Sequence, residues 1–98
     1  MINIEYDNPE LEMLLLEGKS ILYKEIQGKK GFVKSLQAFL FLLKVISNTK
    51  ELSFYKQFGY MPSKEESYVL IKGSKISRKL MFVETDQGRC ITITNLTN

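Results

Sequence analysis

The sequence predicts an α+β fold: an N-terminal strand, two helices, and then a three- to four-stranded antiparallel meander. Three observations predict it: an alternating apolar pattern at residues 2–6, apolar residues at helical spacing between residues 11 and 46, and three short apolar runs separated by turn residues after residue 66. The chain has 98 residues, of which 44% are hydrophobic and 26% are charged, a balance typical of a soluble globular protein. We therefore expect one domain, spanning residues 1–98, with a single core.

The first strand and the first helix follow from residues 2–22. Ile2, Ile4 and Tyr6 alternate with polar residues, as in a strand with one buried face. A helix should begin next, because the Asn8 side chain can accept hydrogen bonds from free N–H groups and Pro9 suits the first helical position. The apolar stripe of this helix comprises Leu11, Leu14 and Leu15, and it reaches Leu22 if Gly18 is a kink rather than a break.

A second helix is predicted from about Lys30 to Ile46. Apolar residues at steps of three and four form one face: Phe32, Leu36, Phe39, Leu40, Leu43 and Ile46. Three more widen that face: Phe41, Leu42 and Val45. Such a helix is either deeply buried or covered by another chain, and burial is favoured because the sheet needs a cover.

The residues between this helix and the meander are less regular. Leu52–Tyr60 is interpreted either as a strand interrupted at Gly59 or as a loop lying across the sheet. Pro62–Glu66 is expected to form a turn or an exposed loop.

The last third of the chain predicts three strands, Ser67–Lys72, Arg78–Glu84 and Cys90–Leu96. Gly73–Ser74 and Asp86–Gly88 supply the turns, because Gly accepts positive φ and Asp can bond its own backbone. The middle strand carries apolar residues on both sides of its alternation, which predicts a central position in the sheet.

Charge is distributed unevenly along the chain. Residues 1–17 hold five acidic and no basic residues, whereas residues 18–98 hold fourteen basic and six acidic ones, a balance of +8. An anionic partner such as nucleic acid would be attracted to the larger portion. The alternative is a lysine-rich surface that serves solubility.

The composition excludes several kinds of site. With no histidine and one cysteine, the chain lacks the usual zinc ligands and cannot form a Ser-His-Asp or Cys-His pair, so we expect no metal and no cofactor. Glu65–Glu66 is interpreted as a solvated pair, and Cys90 as a small buried hydrophobe. The start of the chain does not resemble a secretory signal and no apolar run is long enough to cross a bilayer, which predicts a cytoplasmic protein away from the membrane.

Cations and phenols remain as the groups that could do chemistry. RNA cleavage can proceed with these, because the 2′-hydroxyl attacks the adjacent phosphorus while cations stabilise the developing charge. The predicted catalytic residues are Lys72, Arg78, Lys79 and Tyr68. The predicted RNA-binding residues are Lys64, Lys75 and Arg89. The alternative interpretation is structural, since lysines near strand ends prevent edge-to-edge pairing.

The C-terminal residues resemble the RelE/ParE superfamily of bacterial toxin–antitoxin toxins, and most closely its HigB-like branch. The resemblance is carried by the order of elements and by three segments: Ser67-Tyr-Val-Leu-Ile-Lys-Gly73, Lys79-Leu-Met-Phe82 and Cys90-Ile-Thr-Ile-Thr-Asn95. It implies a RelE-like fold and a cytoplasmic protein paired with a cognate antitoxin. Many members of the superfamily cleave mRNA on the ribosome, and those of the ParE branch poison gyrase.

The family's functional residues transfer only in part. The arginine of its YRLIF-type strand falls on Lys79, which keeps the charge but loses the bidentate fork. The arginine of its YSIRI-type strand falls on Ile71, and the chain has no C-terminal His or Tyr. Arg78, adjacent to Lys79, should point to the opposite face of the strand.

Two other functions stay open at the level of sequence. One is a non-catalytic interaction module with the same fold, which would bind a partner through an apolar surface at Phe39, Phe41, Leu42 and Val45. The other is an unrelated role for a protein that shares the architecture by chance.

Overall fold

A four-stranded sheet with helices on one side organises the chain in a computed structural model that describes residues 1–98. The strands are β1 (Asn3–Tyr6), β2 (Ser67–Gly73), β3 (Ile76–Thr85) and β4 (Cys90–Thr97). The α-helices are α1 (Pro9–Glu17), α2 (Lys24–Gln27) and α3 (Lys30–Val45). Three 3₁₀ helices complete the chain at Thr49–Phe54, Lys56–Phe58 and Asp86–Gly88.

The sheet is mixed, with the strand order β1-β4-β3-β2. β2 pairs antiparallel with β3, and β3 pairs antiparallel with β4. β1, however, runs parallel to β4, so the expectation of antiparallel pairing throughout is wrong for the sheet as a whole. The alternating pattern of residues 2–6 indicated a strand, but such a pattern carries no information about the direction of its neighbour. The predicted central position of the Arg78–Glu84 strand is confirmed, because β3 lies between β4 and β2.

α1 begins where the sequence indicated, and of the two alternatives for Gly18 the structure has the break. The Asn8 side chain accepts hydrogen bonds from the backbone N–H groups of the first turn, and Gly18 ends the helix in the left-handed conformation at φ 74°. Leu11, Leu14 and Leu15 are buried, but Leu22 is 64% exposed, because the chain leaves the helix at Gly18. The Glu10 carboxylate then holds the following turn, accepting from Ser20 Oγ at 2.8 Å and from the Ile21 N–H at 2.9 Å.

α3 is the main cover of the sheet, and its predicted range is confirmed to within one residue. The residues of its predicted apolar face are buried in the core, as is Val33. Phe41 and Val45 are instead 67% and 63% exposed, so the widened part of the apolar run faces outward. α3 packs close to the end of β2, where Ser35 Oγ donates to the Lys72 carbonyl at 2.7 Å.

Leu52–Tyr60 is neither a strand nor an extended loop for most of its length, because it lies largely in two short 3₁₀ helices, Thr49–Phe54 and Lys56–Phe58. Asn48 and Glu51 form a capping box that starts the first, and Gly59 ends the second at φ 51°. Local capping therefore decided the conformation where the apolar pattern was ambiguous. Met61 then pairs with Tyr68 as an isolated antiparallel bridge at the free edge of β2.

The helices are too short or too polar to cross a lipid bilayer. The apolar residues instead form one cluster of 20 buried side chains between the helices and the sheet.

Candidate functional site

The face of the sheet opposite the helices carries three of the seven site residues that the sequence singled out. Along β2, Ser67, Val69 and Ile71 are fully buried against the helices, so the alternate residues project from the other side. We call that side the open face; it is formed by Tyr68, Leu70 and Lys72 of β2, Lys79, Met81 and Val83 of β3, and Thr92 and Thr94 of β4.

Lys79 and Tyr68 form a cation–π pair at the centre of the open face. The Lys79 Nζ atom lies 4.8 Å from the centroid of the Tyr68 ring. The strand register causes this, since Lys79 is opposite Leu70 and Tyr68 is two residues away on the same face. The pair places an ammonium group beside a phenol on an accessible surface, which is an arrangement that can bind a phosphate and an unstacked base together.

Lys72 extends this cluster toward the β2–β3 turn. It is opposite Ser77, one diagonal step from Lys79, and its side chain is exposed. Lys75 lies in the turn itself with φ 65°. Lys64 is exposed in the loop before β2. The register therefore brings three of the four predicted catalytic residues, Tyr68, Lys72 and Lys79, to one face.

Arg78 and Arg89 lie apart from this cluster. Arg78 is opposite Ile71 on the helix-covered side of β3, where its guanidinium donates to the Ser77 carbonyl at 3.0 Å. Arg89 follows the β3–β4 turn and forms an exposed ion pair with Asp86 at 2.9 Å, which lowers the pKa of the Asp86 carboxyl. Both arginines are thus placed where they cannot contact a ligand that is bound between Tyr68 and Lys79.

A carboxylate that sequence reasoning treated as solvated, Glu66, also reaches the open face. Its Oε2 atom accepts a hydrogen bond from Thr94 Oγ1 across β3. Glu66 precedes Ser67, whose side chain points inward, so Glu66 and Tyr68 share a side. This two-residue spacing was the signal in the sequence that could have linked Glu66 to Tyr68.

A second polar cluster surrounds Glu84, near the end of β3 on the helix-covered side. Its Oε1 atom accepts from Thr49 Oγ1, and its Oε2 atom accepts from Ser67 Oγ and from the Tyr60 hydroxyl, the latter at 2.5 Å. Burial, followed by the hydrogen bond to Glu84, raises the pKa of Tyr60 to about 12. The phenol therefore stays protonated and donating at neutral pH.

Glu84 lies in a cleft of about 600 Å³, the Glu84 cleft, lined by Thr49, Lys50, Ser53, Tyr60, Pro62, Glu84, Gln87 and Gly88. Gly88 shapes one wall: it has φ +83°, and a Cβ atom there would overlap the Thr49 side chain. No sequence pattern indicated this cleft, since its residues come from three separate segments.

A third feature is an apolar groove on the outer side of α3. It has a volume of about 320 Å³ and is lined by Ala38, Phe41, Leu42, Val45, Tyr55, Gln57 and Phe58. Leu42 is half-buried, whereas Phe39 of the predicted partner surface is fully buried against Phe58 and Phe82. Of the partner surface predicted from the sequence, Phe41 and Val45 are therefore exposed, whereas Phe39 is not.

Cys90 is half-buried rather than buried, and its sulfur accepts a weak contact from Asn3 Nδ2 at 3.8 Å. Cys90 pairs with Asn3 of β1 on one side and with Thr85 of β3 on the other.

Comparisons of the chain with protein-family models, curated proteins and solved structures give no match. The open face, the Glu84 cleft and the apolar groove are thus the features on which a function can be based.

Proposed function

We propose that the protein binds RNA on its open face and acts as a toxin-type endoribonuclease that cleaves mRNA at the ribosome. The observation that carries the proposal is the Lys79–Tyr68 pair, with Nζ 4.8 Å from the ring centroid and Lys72 one diagonal step away. The order of elements and the C-terminal segments that resemble RelE/ParE toxins support the RelE-like assignment. On this proposal the protein works in the cytoplasm and is restrained by a cognate antitoxin.

Binding would use two groups of the open face. The ammonium groups of Lys72 and Lys79 neutralise backbone phosphates and release counterions, so binding weakens steeply as salt rises. The Tyr68 ring offers a surface on which a base of a single strand can stack. Neither contact reads base edges, so we expect little sequence preference from the open face alone.

Cleavage would follow from charge placed around the scissile phosphate. The 2′-oxygen of the ribose attacks the phosphorus and the bond to the 5′-oxygen breaks, which leaves a 2′,3′-cyclic phosphate and a 5′-hydroxyl. Glu66 is placed to take the proton of the 2′-hydroxyl, and Tyr68 to give a proton to the departing 5′-oxygen. Lys79 and Lys72 stabilise the extra negative charge on phosphorus oxygens in the transition state.

Inducible expression in bacteria tests this proposal. Growth would be followed together with pulse-labelled synthesis of protein and DNA for the wild type, Lys79→Glu and the control Lys34→Glu. Lys34 is an exposed residue of α3, on the other side of the molecule, so its variant matches the change in charge. We expect fast loss of protein synthesis with the wild type and Lys34→Glu, and normal growth with Lys79→Glu when its circular dichroism shows a folded protein.

Three outcomes would contradict the proposed function. Arrest that persists with folded Lys79→Glu would remove the open face from the mechanism. Arrest with loss of DNA synthesis alone would favour poisoning of gyrase over mRNA cleavage. Normal growth with soluble, folded wild-type protein would favour a non-catalytic interaction module.

The apolar groove supports that interaction module as a second candidate function. Phe41 and Val45 are both exposed along the groove, and the only charged residues of α3 are Lys30, Lys34 and Lys44. A partner segment with apolar and acidic residues would fit this face. When the protein is co-expressed with such a partner, Phe41→Ser should reduce the amount of complex recovered and Lys79→Ala should leave it unchanged. The reverse result would contradict the interaction module.

A further inference from the structure

The Glu84 cleft has unused hydrogen-bonding capacity. Glu84 Oε1 accepts from Thr49 alone, whereas Oε2 accepts from two hydroxyls, so one acceptor position of Oε1 remains. The side chains of Lys50 and Gln87 line the same cleft, are exposed, and form no hydrogen bond or ion pair within the chain. One carboxylate oxygen, one amide and one ammonium group are therefore free to contact a ligand.

The walls of the cleft also favour a flat ligand. The rings of Tyr60 and Pro62 line it, and Tyr60 is fixed by stacking nearly parallel to Phe82, with an interplanar angle of 6°. The hydrogen bond from Tyr60 to Glu84 prevents the ring from turning away. A volume of about 600 Å³ is in the range of small-molecule sites and exceeds what a free amino acid needs.

We propose that the Glu84 cleft binds a guanine nucleotide. The N1–H group of guanine donates to a carboxylate oxygen, and Glu84 Oε1 offers the one free acceptor position. Gln87 can pair with the remaining base edge through its amide, and the Tyr60 and Pro62 rings flank the base. The Lys50 ammonium contacts the phosphate as a point charge. Adenine has an unprotonated acceptor at N1 in place of that donor, so it should bind poorly.

This site is distinct from the open face, since Glu84 projects from the helix-covered side of β3 and Lys79 from the other. The inference therefore does not depend on RNA cleavage. A free guanine mononucleotide and a guanosine within an RNA strand present the same base and phosphate, so the proposal covers both sources.

Two-dimensional ¹H–¹⁵N NMR of the full chain tests the proposal with GMP, AMP, inorganic phosphate and L-arginine as probes. We expect saturable shifts from GMP at residues 49–53, 60–61 and 84–88, with AMP binding at least about tenfold more weakly. Gln87→Ala and Lys50→Ala should each weaken GMP binding by about fivefold or more. Lys56→Ala, an exposed lysine of the neighbouring 3₁₀ helix that does not line the cleft, is the matched control and should leave it within about twofold.

Several results would overturn the assignment. Equal binding of GMP and AMP, or of inorganic phosphate alone, would mean that the cleft does not read the base. L-Arginine binding as tightly as GMP would reassign the cleft to a cationic ligand. Absence of saturable shifts up to millimolar GMP would end the proposal, whatever the activity of the open face.

Binding of a guanosine-containing RNA tetranucleotide to the wild type and to Lys79→Ala distinguishes a free mononucleotide from a guanosine within RNA as the ligand. A free mononucleotide site predicts that the tetranucleotide shifts only open-face residues and that Lys79→Ala weakens this binding by about tenfold. A site for guanosine within RNA predicts shifts in the cleft that persist in Lys79→Ala. Failure of toxicity in bacteria with normal GMP binding would reject the proposed function while leaving this site in place.

Discussion

The two polar clusters on β3 differ in how their hydrogen bonds are used. On the open face, Lys79 contacts only the Tyr68 ring and stays available to solvent. On the other side of the same strand, the Glu84 carboxylate accepts hydrogen bonds from three hydroxyl groups of segments that are distant in sequence. The open face is thus free to bind at little cost to the fold, whereas the Glu84 cluster holds the fold together and has only its outer rim left for a ligand.

Removing the Glu84 carboxylate should show the largest effect of this contrast. Glu84→Ala leaves the hydroxyls of Thr49 and Ser67, both residues at most 1% exposed, without their acceptor. We expect a loss of about 3 kcal/mol in the free energy of unfolding, measured by urea denaturation. Glu66→Ala, a carboxylate of the open face, serves as the control and should change it by less than about 0.5 kcal/mol. Similar losses in both variants would erase the distinction between the clusters.

The close approach of Gly88 to Thr49 should come next in size. Gly88→Ala places a methyl group against the Thr49 side chain at a backbone φ of +83°. Strain and displacement together should lower the free energy of unfolding by about 2 kcal/mol. The comparison with Gly28→Ala, where the new Cβ meets only a backbone oxygen at 3.9 Å, separates the contact from a general effect of glycine replacement. Equal stability of the two variants would show that the cleft wall can shift freely.

The open face should respond in binding and not in stability. Lys79→Ala is expected to weaken binding of single-stranded RNA by about tenfold and to reduce the slope of log affinity against log salt by about one unit, measured by fluorescence anisotropy. Its urea midpoint should fall only slightly below that of the wild type, because a surface cation–π pair contributes only about 0.5–1 kcal/mol. Lys34→Ala, on α3, should leave the affinity nearly unchanged. An unchanged salt slope in Lys79→Ala would mean that Lys79 contacts no phosphate.

The smallest expected effect is a loss of stability at alkaline pH that depends on Tyr60 of the Glu84 cluster. The pKa of Tyr60 is raised to about 12 in the folded protein, above the value of about 10 for an unfolded phenol. Stability from Tyr60 is therefore fully present below about pH 10 and decreases as the pH rises toward 12. We expect Tyr60→Phe to lose less stability than the wild type between pH 8 and pH 11, measured by urea unfolding at each pH. Tyr23→Phe is a control with a raised phenol pKa but no bond to Glu84; identical pH profiles for all three proteins would contradict the role assigned to Tyr60.

The sequence allowed good prediction of what depends on local order. The capping by Asn8, the stop at Gly18, the span of α3 and the three C-terminal strands all follow from short-range signals. The alternation of β2 and β3 also predicted that Lys79 and Arg78 point to opposite faces, and with register it joins Lys72, Lys79 and Tyr68. Local sequence patterns could not predict the parallel pairing of β1 or the Glu84 cluster, because both join residues that are separated by long stretches of chain.

The pairing of β1 with β4 also constrains the order in which the parts of the chain fold. Asn3 and Cys90 are partners although they are 87 positions apart, so most of the chain must close into a loop before this contact forms. The β2–β3 hairpin and the helices need only nearby residues and can form early. During synthesis, the first strand leaves the ribosome long before its partner exists. Docking of β1 should therefore be the late and slow event of folding, and until then the exposed edge of β4 is open to pairing with other chains.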